Sequence, residues 1–101
     1  MASLYKNDKN FLIIQMTHLE ATVDCGMGIR QSRFISKIIC DICNNEIDEV
    51  DDIYYVAVLN RALCKECCDD FIKGYDKHPE DEPYEKSHYN YYAKILNLEL
   101  L

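Results

Sequence analysis

The residues best suited to chemistry in this chain are its six cysteines, four of which are spaced as two matched pairs. Two residues separate Cys40 from Cys43, two separate Cys64 from Cys67, and twenty lie between the pairs. A gap of two residues lets one tight turn aim both sulfurs at a single ion, and a second such pair completes a tetrahedral thiolate set. Four soft sulfurs suit one structural Zn²⁺, with iron as the main competitor. Cys68 directly follows Cys67, so either can supply the fourth sulfur. Cys67 is preferred because it repeats the two-residue spacing, which leaves Cys68 to face the core and Cys25 as a buried thiol.

Other uses of these cysteines fit less well. A disulfide framework belongs to an oxidising compartment, and the opening MASLYKNDKN lacks the apolar stretch of a secretory signal. The expected location is therefore cytoplasmic and reducing. A thioredoxin-like pair would sit at a helix start within a βαβ unit, which this pattern lacks. Four thiolates close a zinc site to water and substrate. The chain has neither a G-x-S-x-G turn nor a phosphate-binding glycine loop, and His18, His78 and His88 are scattered. The expectation is that it is not an enzyme, and no catalytic residue is assigned. No run of about 18 apolar residues marks a membrane span.

Elements must bring the two pairs together. Residues 1–10 read as a loose polar terminus, followed by the apolar run Phe11–Met16. Leu19 to Cys25 alternates apolar and polar, as a half-buried strand does. A capping box of Thr17 with Glu20 competes with that reading. Gly26 and Gly28 favour a turn, with a return strand from about Arg33 to Ile39. Ile53–Leu59 is aromatic and β-branched and predicts a strand, with a tight turn at Asn60-Arg61. Cys68, Phe71, Ile72 and Tyr75 share one helical face, and Gly74 marks that helix's end. Asp81 and Pro83 can open a last helix, on which Tyr84, His88, Tyr91, Ile95 and Leu98 form an apolar stripe. His88 on this stripe reads as a structural histidine. Tyr89 and Tyr92 then fall on the exposed side and become candidates for partner contact.

The order of a cysteine turn, a β-hairpin and a second cysteine pair opening a helix resembles treble-clef zinc fingers over residues 40–75. Cys40-Asp41-Ile42-Cys43 matches the knuckle, and Cys64 and Cys67 match the pair at the helix start. The chain departs from the family in one respect: Asn44 stands where many knuckles place Gly, a mild change because Asn tolerates a left-handed backbone. The expected fold class is α+β: a small zinc-stapled domain with an N-terminal β-hairpin, a treble-clef-like knuckle–hairpin–helix and a C-terminal amphipathic helix. One domain is expected over 1–101, divided into an N-terminal β region (1–39), a four-cysteine zinc module (40–75), and a connector with C-terminal helix (76–101). The resemblance implies a structural metal rather than a function, because such scaffolds bind many kinds of partner.

Charge narrows the partner. The net charge is −7, and it is unevenly placed. Residues 1–40 carry five bases and three acids, whereas 41–101 carry six bases and fifteen acids. Asp41, Glu46, Asp48, Glu49, Asp51 and Asp52 fall within twelve residues that contain no base. Such a surface repels phosphate, so direct nucleic-acid binding is not expected. It suits a basic protein surface, and Glu46, Asp48, Glu49, Asp51, Asp52, Tyr89 and Tyr92 are the candidate contact residues. In size and charge the chain broadly resembles small acidic phage inhibitors such as anti-CRISPR proteins. That resemblance implies a non-catalytic module that docks on a nucleic-acid-binding enzyme, such as a CRISPR effector nuclease, and blocks loading. The alternative is a nucleic-acid-associated zinc finger using Arg30, Arg33 and Lys37. A third reading is a redox or metal-handling role for Cys25 and Cys68. A homodimer through the C-terminal stripe is also compatible with the sequence.

Overall fold

Ile53, Tyr54, Tyr55 and Val56 are all buried, which a strand achieves only if both faces are covered. In the computed structural model, which describes residues 2–21, 38–48 and 50–101, these four form β5 (Ile53–Val56). They lie inside an antiparallel sheet with β1 (Ser3–Leu4), β2 (Ile13–Met16) and β6 (Arg61–Leu63), in the order β1-β2-β5-β6. Register pairs Ile13 with Val56, Met16 with Ile53, and Tyr54 with Leu63. Successive side chains on a strand point to opposite faces. Tyr55 meets Tyr92 of the C-terminal helix, α2 (Glu82–Ile95), at 4.4 Å between rings. Tyr54 meets Tyr5 at 4.9 Å, and the Tyr5 hydroxyl donates to Asp69 of α1 (Lys65–Gly74) at 3.0 Å. The two helices thus cover opposite faces of the sheet. A separate two-stranded ribbon pairs β3 (Ile38–Ile39) with β4 (Glu46–Ile47). The fold is a small α+β arrangement with an N-terminal hairpin of β1 and β2.

The N-terminus is not the loose segment that its polarity suggests. Asn7 orders the β1–β2 connection: its carboxamide donates to the carbonyls of Tyr5 and Phe11 and accepts from the amides of Lys9 and Phe11. Lys9 donates from Nζ to the carbonyl oxygens of Lys73 and Tyr75, at 3.3 and 2.7 Å, and pairs with Asp76. A cation is well placed there, because carbonyls at a helix C-terminus carry partial negative charge. The polar residues serve as ties between elements, which a hydropathy pattern does not register.

Three other expectations change. Residues 18–21 are helical, so the alternation from Leu19 does not make a strand. The capping box prevails: the Thr17 amide donates to Glu20 Oε1 at 3.0 Å, and the Glu20 amide donates to Thr17 Oγ1 at 3.2 Å. The expected turn at 26–28 and most of the strand from Arg33 lie outside the described residues. The strand from Ile53 stops at Val56 and the turn covers 57–60, with Asn60 at φ 53°.

The third change concerns α2, which begins where expected, with Asp81 at the N-cap position and proline in its first turn, although the Asp81 side chain makes no capping hydrogen bond. Its buried face, however, is Glu85, Tyr89 and Ala93, not the Tyr84–Tyr91 stripe. Tyr89 is 3% exposed, while Tyr84 and Tyr91 are 67% and 64% exposed. Tyr92 is half-buried against Tyr55. Tyr89 and Tyr92 are therefore packing residues, and the expectation that they are surface contacts is corrected. Rotation of the helix follows from Glu85, a buried carboxylate. It accepts from the Leu12 amide at 3.0 Å and from Lys77 at 3.2 Å. A buried charge needs such partners, and Lys77 also donates to the Asn10 carbonyl. His88, as expected, is structural: its Nδ1 donates to the Ala57 carbonyl at 2.8 Å.

Glu85→Ala removes the acceptor of a buried amide and one half of this ion pair. It should destabilise the metal-loaded protein by about 1–3 kcal/mol. Urea unfolding followed by circular dichroism measures this, and a change within about ±0.5 kcal/mol, the usual range for surface substitutions, would count against the role given to Glu85.

Candidate metal centre

Two local structures present the four sulfurs. The first is the turn closing the β3–β4 ribbon. The Cys40 amide donates to the Asn45 carbonyl at 2.9 Å, and the Asn44 amide donates back to the Cys40 carbonyl at 3.0 Å. Asn44 has φ 60°, the left-handed conformation that Asn accepts more readily than most side chains. The Ile42 amide points at the Cys40 sulfur at 3.5 Å. The second structure is the start of α1, where Cys64 is the N-cap with φ −74° and ψ 165°. The Cys68 amide donates to the Cys64 carbonyl at 3.0 Å, closing the first turn and swinging Cys67 back toward Cys64.

Asp41 joins the two. Its amide donates to the Ala62 carbonyl at 3.1 Å, and its Oδ2 accepts from the Ala62 amide at 3.2 Å. The knuckle is thereby clamped to β6, two residues before Cys64. From sequence Asp41 counts only as one more acid. The usable signal was its position between the first two cysteines, where a short carboxylate can reach backbone amides.

The sulfurs of Cys40, Cys43, Cys64 and Cys67 all lie within 4.8 Å of one another. Cys43 and Cys64 are 3.9 Å apart. A tetrahedral ion with Zn–S bonds of about 2.3 Å requires sulfur–sulfur edges of about 3.8 Å. The four cysteines are positioned to coordinate one metal ion, and the set fits a single structural Zn²⁺. Cys40 is buried, Cys64 and Cys67 are half-buried, and Cys43 is exposed. A metal here closes a site at the protein surface.

The electrostatics favour a cation. Burial pushes the Cys40 thiol up, but hydrogen bonds from the backbone amides of Cys43, Cys64 and Ile42 outweigh it and bring the group down to about 7. Burial raises Cys64. Cys67 is held far above the usual thiol range by burial and by its contacts with the sulfurs of Cys64, Cys40 and Cys43. One sulfur is thus prepared as a thiolate while Cys64 and Cys67 resist adding like charge. A divalent cation resolves that conflict by holding all four deprotonated. Cys68 stands apart. It is fully buried, and burial with the neighbouring Asp69 charge pushes its thiol up to about 12. It is an inert core thiol at neutral pH, and the sulfur that lies with those of Cys40, Cys43 and Cys64 is that of Cys67. Cys25 lies outside the described residues.

The acidic candidates fall beside this centre. Glu46, Asp48 and Asp51 are exposed, and Asp52 is half-buried and accepts from Gln15 Nε2 at 2.6 Å. Glu49 lies outside the described residues. Glu46, Asp51, Asp52 and Glu66 line a cleft of about 410 Å³, with Lys65 beside them. Ile47, Val50, Tyr54 and Cys64 complete its walls. The sequence missed Glu66, which the first turn of α1 brings to the cleft from between Cys64 and Cys67, and Val50, a 91% exposed apolar residue among acids.

Cys43→Ser and Cys67→Ser should abolish stoichiometric zinc binding and unfold much of 38–75, because metal binding and folding are coupled in such sites. Cys68→Ser should keep one zinc per chain. Protons compete with the metal for thiolates, so zinc should be held at neutral pH and released as the pH falls. Native mass spectrometry with circular dichroism reads all three outcomes. Zinc retained by Cys67→Ser and lost by Cys68→Ser would reverse the ligand assignment.

Among the described residues, no helix is long and apolar enough to cross a membrane. Comparison with known proteins finds no matching family model, no matching curated protein and no matching solved structure. The functional reading therefore rests on the site's own chemistry: four cysteines placed for one structural zinc, with an acidic cleft beside them.

Proposed function

We propose that this chain is a non-catalytic, zinc-stapled interaction module that docks its acidic surface on a basic, nucleic-acid-binding enzyme. The observation that carries this reading is the acidic cleft beside the metal centre. Glu46, Asp51, Asp52 and Glu66 are gathered around exposed Val50, with Lys65 beside them, on a scaffold fixed by β4, β5 and the start of α1, and exposed Asp48 lies on the adjoining connection. Carboxylates fixed in this way offer a basic groove the charge that nucleic acid would otherwise supply. The apolar centre adds contact area, and clustered charge speeds encounter with a basic surface. The metal's role is mechanical. A four-sulfur site leaves no position for water or substrate, so zinc holds the surface in shape and takes no part in a reaction.

The element order supports a treble-clef reading of the scaffold: a cysteine knuckle in the β3–β4 ribbon, the β5–β6 hairpin, and a helix opening on the second cysteine pair. Size, acidity and a closed metal site together favour the inhibitor class, a phage or mobile-element protein that blocks nucleic-acid loading in the manner of anti-CRISPR proteins. The place of action on this reading is the reducing cytoplasm where such enzymes work.

A tagged pull-down from bacterial lysate, with and without nuclease, tests the proposal when run beside a Glu46→Lys/Asp48→Lys/Asp51→Lys variant. The expected result is a nucleic-acid-binding enzyme retained after nuclease treatment and lost with the charge-reversed protein, with binding weakened at least about tenfold, or about 1.4 kcal/mol, and weakening further with salt. Retention that disappears with nuclease would favour the nucleic-acid-associated zinc finger. Retention unchanged by charge reversal would remove the acidic surface from the mechanism.

A further inference from the structure

We propose that the exposed aromatic face of α2 pairs with the same face of a second copy of this chain, antiparallel about a two-fold axis. The helix carries two stripes. The buried one, Glu85, Tyr89 and Ala93, faces the sheet. The other runs through Tyr84, His88, Tyr91 and Ile95 in steps of four, three and four. Tyr84, Tyr91 and Ile95 on it are exposed. Steps of four and three average about 3.5 residues, the repeat that keeps one seam turned toward a partner helix. Tyrosines offer large contact area with few rotatable bonds and are enriched where proteins meet. Tyr91 is braced edge-on against Tyr92, at 5.0 Å between rings. His88 is fixed by its bond to the Ala57 carbonyl, so the stripe is held before any partner arrives.

The charges of the helix say which partner and which direction. Glu80 and Asp81 stand just before its start, Glu82 in its first turn is already paired with Lys86 at 3.2 Å, and its last turn carries Lys94. Parallel pairing would set acid against acid and lysine against lysine. Antiparallel pairing sets each acidic start against the partner's basic end and opposes the helix dipoles. A two-fold contact requires a surface complementary to itself, and an apolar centre flanked by opposite charges meets that requirement. Fourteen residues at about 1.5 Å each give a helix about 21 Å long. On that span Tyr84 of one copy falls near Ile95 of the other, with His88 and Tyr91 about the axis. The chain's own tail is held elsewhere. Asn97 at φ 60° reverses the backbone, and the Asn90 carboxamide both donates to the Leu101 carbonyl and accepts from the Leu101 amide. The seam is small, so the dimer is weak, with Kd between about 10 µM and 1 mM.

Sedimentation equilibrium of the zinc-loaded full chain across that concentration range tests the proposal. The expected result is a monomer–dimer equilibrium. Tyr91→Ser, and separately Tyr84→Ser, should weaken it at least about tenfold while zinc content and circular dichroism stay unchanged. Lys94→Glu should weaken it about two- to fivefold, and adding Glu80→Lys, which leaves the Glu82–Lys86 pair intact, to that variant should restore it. A monomer throughout, a dimer indifferent to both tyrosine substitutions, or a charge swap that fails to restore pairing would each overturn it. None of these outcomes bears on the acidic cleft, which is built from other residues.

Discussion

The convergence of four sulfurs on one point is the constraint on which the rest of the structure depends. The β3–β4 ribbon contributes two residues to each strand, far short of what stands alone in water. Its ties to the sheet are the Asp41–Ala62 clamp, the burial of Ile38 and Ile47, and the sulfurs themselves. A cation shared between Cys40 and Cys43 on the ribbon and Cys64 and Cys67 on α1 turns these pieces into one body. Cys40 is the sulfur readiest to ionise, and its neighbours, raised by burial and mutual contact, need the metal to join it.

The sheet shows the same economy on a larger scale. It has four strands of two to four residues, and only β5 is buried along its whole length. Two short helices must cover both of its faces, and polar residues hold them there. Lys9 binds the C-terminal carbonyls of α1, Tyr5 binds Asp69, and Glu85 anchors α2 to the amide of Leu12 and to Lys77. In so small a chain the core alone supplies little surplus stability, so directional bonds between elements share the task with the metal and the aromatic pairs Phe11–Phe71 and Tyr55–Tyr92.

These ties also fix the surface residues in place. The acidic residues around Val50 sit on short connections fixed at both ends by the ribbon and by β5. Rigid placement matters for charge recognition, because a carboxylate that need not be ordered on binding loses less entropy there. Tyr84 and Tyr91 are likewise presented by a helix whose other face is locked to the sheet. The four-cysteine site, the acidic cleft and the exposed tyrosines of α2 are thus all carried on elements tied to the sheet.

The metal centre was legible in the chain before any fold was known. The two-residue spacing within each cysteine pair is a local property, so the ligand set, the helix from Lys65, the left-handed Asn44 and the start of α2 could all be read from neighbours along the chain. Distant partners settled the rest. Leu19–Ala21 alternates like a strand, yet a side-chain bond between Thr17 and Glu20 made it helical. Tyr84 and Tyr91 looked like core, yet α2 is turned by Glu85, whose burial is tolerable only because Leu12 and Lys77, remote in sequence or on a separate connector, arrive to satisfy it. Polarity marked residues 1–10 as loose, while the bonds of Tyr5 and Lys9 to α1 and its C-terminal end tied that segment into the fold. Apolar periodicity records how much surface a segment can bury, but not which polar groups will meet it there.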